Sequence, residues 1–242
     1  MSETTLDLIL DGKIRLRQSA AGYRAGMDAL FLAAMLEAKP GDHLVEFGCG
    51  PGAALLTSAY RLPECRFTGI EIDPEAVDLA RENIAANEME ARVTVRQGDI
   101  AEAMDGLKAS QVFFNPPFFD DPRAMRIPKA EKQRAWLAGD VPLAEWVKAA
   151  ARVLEPRGRL SLIHRADALA EILAGLGKTF GSVAIRPVQP RAGRPAKRVL
   201  VTARLGGKAP LVLLPALILH EGEGHSAEAD AILRGRAVVA MA

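Results

Sequence analysis

The stretch QVFFNPPFFD, residues 111–120, ends an apolar run on a carboxamide, two prolines and two aromatic rings. Proline cannot donate to a sheet ladder, so two in a row stop a strand there. The prolines alone need mean no more than that. The full set, Asn115, Pro116, Pro117 and Phe118, has the parts to activate a planar amine. The lone pair of an exocyclic base amine is delocalised into the ring, which makes the nitrogen a poor nucleophile. Two acceptors aimed at its two hydrogens pull it toward tetrahedral geometry and free that pair. Asn115 Oδ1 is one acceptor; the Pro116 carbonyl, aimed by ring-fixed φ angles, is the other. Phe118 offers a stacking face, worth about 1–3 kcal/mol per base. The proton can leave after transfer, so no general base is required. Alignment can then supply most of the rate, roughly 7–11 kcal/mol in well-oriented systems.

A second constellation lies upstream. VEFGCGPGAAL, residues 45–55, joins a strand to a helix through Gly48, Gly50 and Gly52. Glycines there allow a tight turn and close ligand approach, with free N–H groups at the helix start behind them. Gly48-x-Gly50-x-x-Ala53 also fits the dinucleotide fingerprint, with Glu71 about twenty residues on and suited to a ribose diol. A ribose-containing cofactor is therefore expected, its identity left open by the loop alone. Glu46 tilts the choice away from a nicotinamide, because a carboxylate two residues before Gly48 would repel a pyrophosphate and suits a cationic amino-acid end. Asp99, ending GDI (98–100), could accept from an exocyclic adenine amine. His43, His164, His220 and His225 are scattered, with nothing resembling a hydride-transfer acid.

These residues need a frame. Strands are expected at 43–48, 67–72, 93–98, 111–115, 159–164, 182–188 and 197–205, and helices at 53–61, 74–87, near 100–106, at 141–154 and at 166–177. Such alternation builds an α/β, Rossmann-like, mostly parallel sheet of seven strands with helices on both faces. The last two strands have no helical stretch between them, so an antiparallel pair is expected at one edge. GKIRLRQ (12–18) reads as a short strand, and residues 22–36 as a loop leading into a helix. One domain is expected: an extension over 1–40 lying against a core of about 41–206, then a tail over 207–242 to which no mechanism is assigned.

The bulk numbers narrow the class. With 49% hydrophobic and 25% charged residues over 242 positions, the chain has the balance of an ordinary globule with a sizeable core. No apolar run approaches the roughly 18–20 residues that span a bilayer. The start, MSETTLDLILDGK, lacks a basic stretch and a cleavage site, so no signal peptide is expected. Cys49 and Cys65 give no disulfide framework, which points to a reduced, cytoplasmic setting. Net charge is only +1, yet residues 122–134 carry five Lys/Arg against one Glu, and residues 186–198 carry five and no acid. Two basic segments on an otherwise acidic body suggest a polyanion partner.

Over roughly residues 20–205 the combination resembles the class I S-adenosylmethionine-dependent methyltransferases. The resemblance implies that EFGCGPG (46–52) cradles the methionine part, that Glu71 holds the ribose hydroxyls, that Ile72 lies against the adenine, and that Asp99, with Ile100, faces the adenine amine. Asn-Pro-Pro-Phe after the fourth core strand resembles the amino-methyltransferases, with Asn115 bordering both cofactor and target. GYRAGMDALFLAA (22–34) is similar to the bacterial tRNA1(Val) adenine-37 N6-methyltransferases, in which a basic residue, a glycine and an aspartate close over the methionine end. Arg24, Gly26 and Asp28 match; Met27 stands where that family usually has Thr. PAKRVLV (195–201) is similar too.

What the resemblance implies is N6-methylation of an adenine in tRNA, at adenosine 37 of a valine tRNA. The alternatives are a ribosomal RNA base amino-methyltransferase and a protein glutamine N5-methyltransferase, the latter usually carrying a helical domain ahead of the glycine loop. Arg123, Arg126, Lys129, Lys132 and Arg134 are placed to hold phosphates around a flipped base. Arg191, Arg194, Lys197 and Arg198 could hold a stem. Trp136 is expected to pack against the sheet. Neither a metal, a membrane nor an obligate protein partner is expected.

Overall fold

The fold comes from a computed structural model, which describes residues 3–20, 24, 26–100, 102, 106–117 and 141–241. The chain opens with a hairpin, β1 (Thr4–Ile9) and β2 (Ile14–Ser19), paired from Thr4↔Ser19 to Ile9↔Ile14. Asp11-Gly12 sits in its turn with both residues at positive φ, 56° and 80°. Helix α1 (Met27–Ala34) follows.

Strands and helices then alternate: β3 (His43–Phe47), α2 (Ala53–Arg61), β4 (Arg66–Glu71), α3 (Pro74–Ala86), β5 (Val93–Gln97) and β6 (Ala109–Phe114). They are followed by α4 (Leu143–Val153), β7 (Leu154–Arg165), α5 (Leu169–Leu176), β8 (Phe180–Gln189) and β9 (Arg198–Leu205). Helix α3 shows why the boundaries fall where they do. Pro74 supplies a pre-set φ at the first helical position, and Asp73 caps the helix by accepting from the Glu75 N–H at 3.0 Å.

The sheet runs β5-β4-β3-β6-β7-β9-β8, with two short strands, β10 (Val212–Leu213) and β11 (Leu217–Ile218), on the outer side of β8. All pairs are parallel except those of β9, which is antiparallel to β7 and to β8. Alternate side chains feed two cores. Leu44, Phe113, Ile163 and Leu200 meet α1, α2 and a C-terminal helix α6 (Ala227–Leu233) on one face. Val45, Phe47, Val112, Phe114 and Leu162 meet α4 and α5 on the other. Interior parallel strands buried on both faces carry near-continuous apolar runs, as VFF in β6 does.

The seven expected core strands are all present, and the sheet has nine among the described residues. The antiparallel pair does close one side, but β9 is its inner member and β8 lies outside it. Strand β7 begins at Leu154 rather than 159, because Ala109 pairs with Leu154 and Gln111 with Arg159, so residues 155–158 are looped out between the two registers. The expected helix near 100–106 falls largely outside the described residues. Strand β1 was not expected at all.

The tail packs onto the body. After β11 comes a small hairpin, β12 (His220–Glu221) and β13 (Gly224–His225), then α6. The Val239 N–H donates to the Ala34 carbonyl at 2.9 Å, and Arg61 donates to the carbonyls of Ala237 and Ile232 at 2.7 and 2.6 Å. No described helix is long and apolar enough to cross a membrane.

Candidate active site

Register brings the expected residues to one edge. Phe47 pairs with Ile70 on one side and with Phe114 on the other. The next residue in each strand direction is Gly48, Glu71 and Asn115. Because β4 and β6 leave β3 on opposite sides, a crevice opens at this carboxyl edge, where open α/β sheets bind ligands.

The glycine loop is held from below. The Gly48 N–H donates to the Ile70 carbonyl at 2.8 Å, and the Gly50 N–H to Glu71 Oε2 at 2.8 Å. Gly48 has φ +62°, and a Cβ there would lie 2.9 Å from Trp146 Cη2. Trp146, from α4, packs on Phe114 with ring centroids 5.4 Å apart, and Phe114 stacks on Phe47 at 6.3 Å. Trp146 is thus the floor of the loop. Trp146 shares a buried helix face with Leu143, Val147 and Ala150, and nothing in the sequence says what that face touches.

Glu46 is 3% exposed, and its Oε2 is buried with no hydrogen-bond partner among the described residues. Burial, and then repulsion from Glu71, push its carboxyl well above the usual carboxylate range, while the Leu55 backbone N–H pulls the other way. An orphaned carboxylate oxygen is costly unless a cation arrives. That fits the ammonium end of an amino-acid cofactor. Glu71 is also buried: Oε1 accepts from the Ile72 and Asp73 N–H groups at 2.8 and 2.9 Å, and Oε2 from Gly50. A carboxylate has about four acceptor sites, so room remains for a ribose hydroxyl. Burial raises the Glu71 pKa, and its three N–H partners oppose that shift. Beyond β5, the Gly98 N–H donates to the Glu71 carbonyl at 2.9 Å, which brings Asp99 and the buried Ile100 to the same edge; Ile72 and Asp99 are half-buried.

Asn115 is half-buried at the end of β6. Its Oδ1 is buried and has no partner among the described residues. Pro116 is buried and Pro117 exposed. Phe118, Arg123, Arg126, Lys129, Lys132, Arg134 and Trp136 lie outside the described residues.

The N-terminal trio is only partly gathered. The Arg24 guanidinium is exposed, pairs with Asp7 and donates to Thr5 Oγ1 at 2.8 Å, both on β1. Gly26 is the N-cap of α1. Asp28 accepts from Arg198 Nε at 2.8 Å. Since β9 is antiparallel, its first residue, Arg198, stands level with Arg165 at the end of β7, on the same sheet edge as Asn115. Arg194 and Lys197 are exposed in the loop before it. Arg191 is exposed and donates to the Gly222 carbonyl at 2.6 Å. Arg186, from the same basic segment, pairs instead with Glu228 at 2.7 Å. Of the histidines, His43 bridges the Lys108 carbonyl and Thr68 Oγ1 at the opposite end of the sheet. His164 Nδ1 accepts from the Arg165 N–H at 2.9 Å, and burial lowers its pKa to about 4.

The family described as the methyltransferase small domain matches residues 24–189. The tRNA1(Val) (adenine(37)-N6)-methyltransferase of Porphyromonas gingivalis is 33% identical over 164 residues, 64% of each chain. The chain thus spans just under two thirds of that relative's length. The protein of the same name from Haemophilus influenzae is 26% identical over 227 residues, 90% of this chain and 92% of the other. Among solved structures, that of Atu636 from Agrobacterium tumefaciens, titled a predicted O-methyltransferase, is similar with a TM-score of 0.74 and 28% identity, over 88% of this chain and 98% of the other. The fold is that of the class I methyltransferases.

Proposed function

The chain belongs to the methyltransferase small domain family, and we propose that it methylates the exocyclic N6 of an adenine in tRNA from S-adenosylmethionine, in the cytoplasm. Adenosine 37 of a valine tRNA is the proposed position. The names of the Porphyromonas and Haemophilus relatives support this substrate. We take the chain as one catalytic unit, with the described residues of 1–40 and 207–242 packed on the core.

When bound, the cofactor supplies a methyl group on a sulfonium, an activated carbon with a good leaving group. In this reading the rest is done by the chain. Glu46 neutralises the ammonium end. Glu71 holds the ribose hydroxyls, Asp99 accepts from the adenine amine, and Ile72 and Ile100 flank the ring. Arg24, Gly26 and Asp28 border the methionine end from the N-terminal side. Asn115 Oδ1 and the Pro116 carbonyl accept from the two hydrogens of the target amine. Phe118 stacks on the target base. Arg191, Arg194, Lys197 and Arg198, with the basic residues of 122–134, meet the phosphates.

One observation carries the proposal: Asn115 Oδ1 is a buried acceptor without a partner among the described residues, at the end of the strand beside the glycine loop. A buried carbonyl left unsatisfied costs about 1–3 kcal/mol. A donor brought by the substrate would remove that cost.

The name given to the Agrobacterium protein suggests a different acceptor, oxygen. A hydroxyl has a single hydrogen to offer, so two acceptors flanking the target suit an amine better. The test is to incubate the purified chain with methyl-labelled cofactor and, separately, tRNA, ribosomal RNA and protein, then to map the labelled nucleosides. N6-methyladenosine in valine tRNA is the expected product. Label in glutamine, in ribosomal RNA or on oxygen would replace the proposal.

A further inference from the structure

Helix α3 reaches the N-terminal hairpin through two side-chain amides. Asn83 Oδ1 accepts from the Arg17 N–H at 2.7 Å, and Asn83 Nδ2 donates to the Arg17 carbonyl at 2.8 Å. One turn further, Asn87 Oδ1 accepts from the Arg15 N–H at 2.9 Å, and its Nδ2 donates to the Arg15 carbonyl at 2.7 Å. Residues four apart share a helix face, and backbone groups two apart share a strand edge. Each amide therefore gives β2 the pair of bonds a neighbouring strand would give. One edge of β2 is paired with β1; α3 satisfies the other.

Asn83 makes one contact that Asn87 does not. Its Nδ2 also donates to the Pro51 carbonyl at 2.9 Å. Pro51 sits inside the glycine loop, between Gly50, whose N–H is held by Glu71, and Gly52, the N-cap of α2. Asn83 is 2% exposed, so water cannot substitute for the amide if it is lost. The hairpin it grips carries Asp7, the partner of Arg24. A single buried amide thus touches the glycine loop on one side and, on the other, the hairpin that holds Arg24.

We infer that Asn83 is a positioning residue: it fixes the glycine loop against the β1–β2 hairpin, so that cofactor binding at the loop and ordering of the hairpin are coupled. The inference rests on the proposed cofactor site. Asn87 serves as the internal control, because it grips the same strand without touching the loop.

S-adenosylhomocysteine is the probe, measured by calorimetry on the full chain. Asn83→Ala should weaken it about tenfold, the size expected for one lost positioning hydrogen bond. KM for S-adenosylmethionine should rise with kcat little changed. Asn87→Ala should lower the unfolding temperature and leave both constants unchanged. Asn83→Asp keeps the acceptor and loses both donors, and should weaken binding as the alanine variant does. Affinity within twofold of wild type in either folded Asn83 variant overturns the inference, as does an equal loss in Asn87→Ala. Independently of any variant, the coupling is reciprocal. Binding of S-adenosylhomocysteine to the wild-type chain should slow hydrogen exchange at the Arg17 amide, and unchanged exchange there also overturns it. A wild-type chain that does not bind the probe would instead defeat the cofactor reading itself.

Discussion

Arg198 Nε donates to Asp28 Oδ2 at 2.8 Å, joining the first residue of β9 to the first turn of α1. The two side chains were expected to serve different ligands, Asp28 the cofactor and Arg198 the RNA. In the structure they form a half-buried pair, with exposures of 21% and 25%.

That pairing makes a prediction. A cycle of Asp28→Ala, Arg198→Ala and the double variant, followed by urea unfolding, should give a coupling of about 1 kcal/mol. Arg198→Lys should not restore it, because an ammonium lacks the planar fork that holds the geometry. Arg198→Ala should also weaken S-adenosylhomocysteine, through Asp28. Additive effects would make the two residues independent.

Glu46 predicts how cofactor affinity depends on pH. Its carboxyl stands well above the usual range because it is buried and faces Glu71. An ammonium beside it would favour the charged form and lower that pKa. Binding should therefore release a proton, and affinity should rise with pH as the free site ionises. Calorimetry in buffers of differing ionisation heat reads the released proton directly. Glu46→Gln should abolish the release and weaken binding; proton release that persists in the variant would place the titration elsewhere.

His164 predicts a loss of stability in acid. Its pKa is lowered from 6.5 to about 4, chiefly by burial. Between those values the unfolded chain binds the proton more readily, so this residue's contribution is present above pH 6.5 and lost as pH falls toward 4. Glu46 and Glu71, whose pKa values are raised, act in the opposite sense, so the comparison must be between variants. Unfolding free energy measured at several pH values should fall less steeply for His164→Gln than for wild type. Equal slopes would contradict the assignment.

Much of this was legible in the residue order. Strand–helix alternation located the seven core strands, and Gly48, Glu71 and Asn115 each stand where one of them ends. Those signals are local: periodicity, glycine turns, a proline stop. What was missed depends on who packs against whom. Strand β1 was overlooked although Leu10-Asp11-Gly12-Lys13 separates two alternating runs, a pattern that favours a hairpin. Trp146 under Gly48, Asn83 across to Arg17 and Pro51, and Asp28 against Arg198 join segments between 32 and 170 residues apart. Spacing along the chain carries no trace of such partners. The sequence also could not place β9 inside β8, because an antiparallel pair reads the same in either order.

The central claim is that Asn115 Oδ1 waits for an amine hydrogen, and a paired measurement on Asn115→Ala tests it most directly: S-adenosylhomocysteine affinity by calorimetry, and the single-turnover rate of methyl transfer to tRNA. Affinity should stay within about threefold of wild type, while transfer falls about 10²–10³-fold, the range seen when one preorganised hydrogen-bonding group is removed from a reacting centre. Transfer at near wild-type rate, or a loss explained wholly by weaker cofactor binding, would contradict the account.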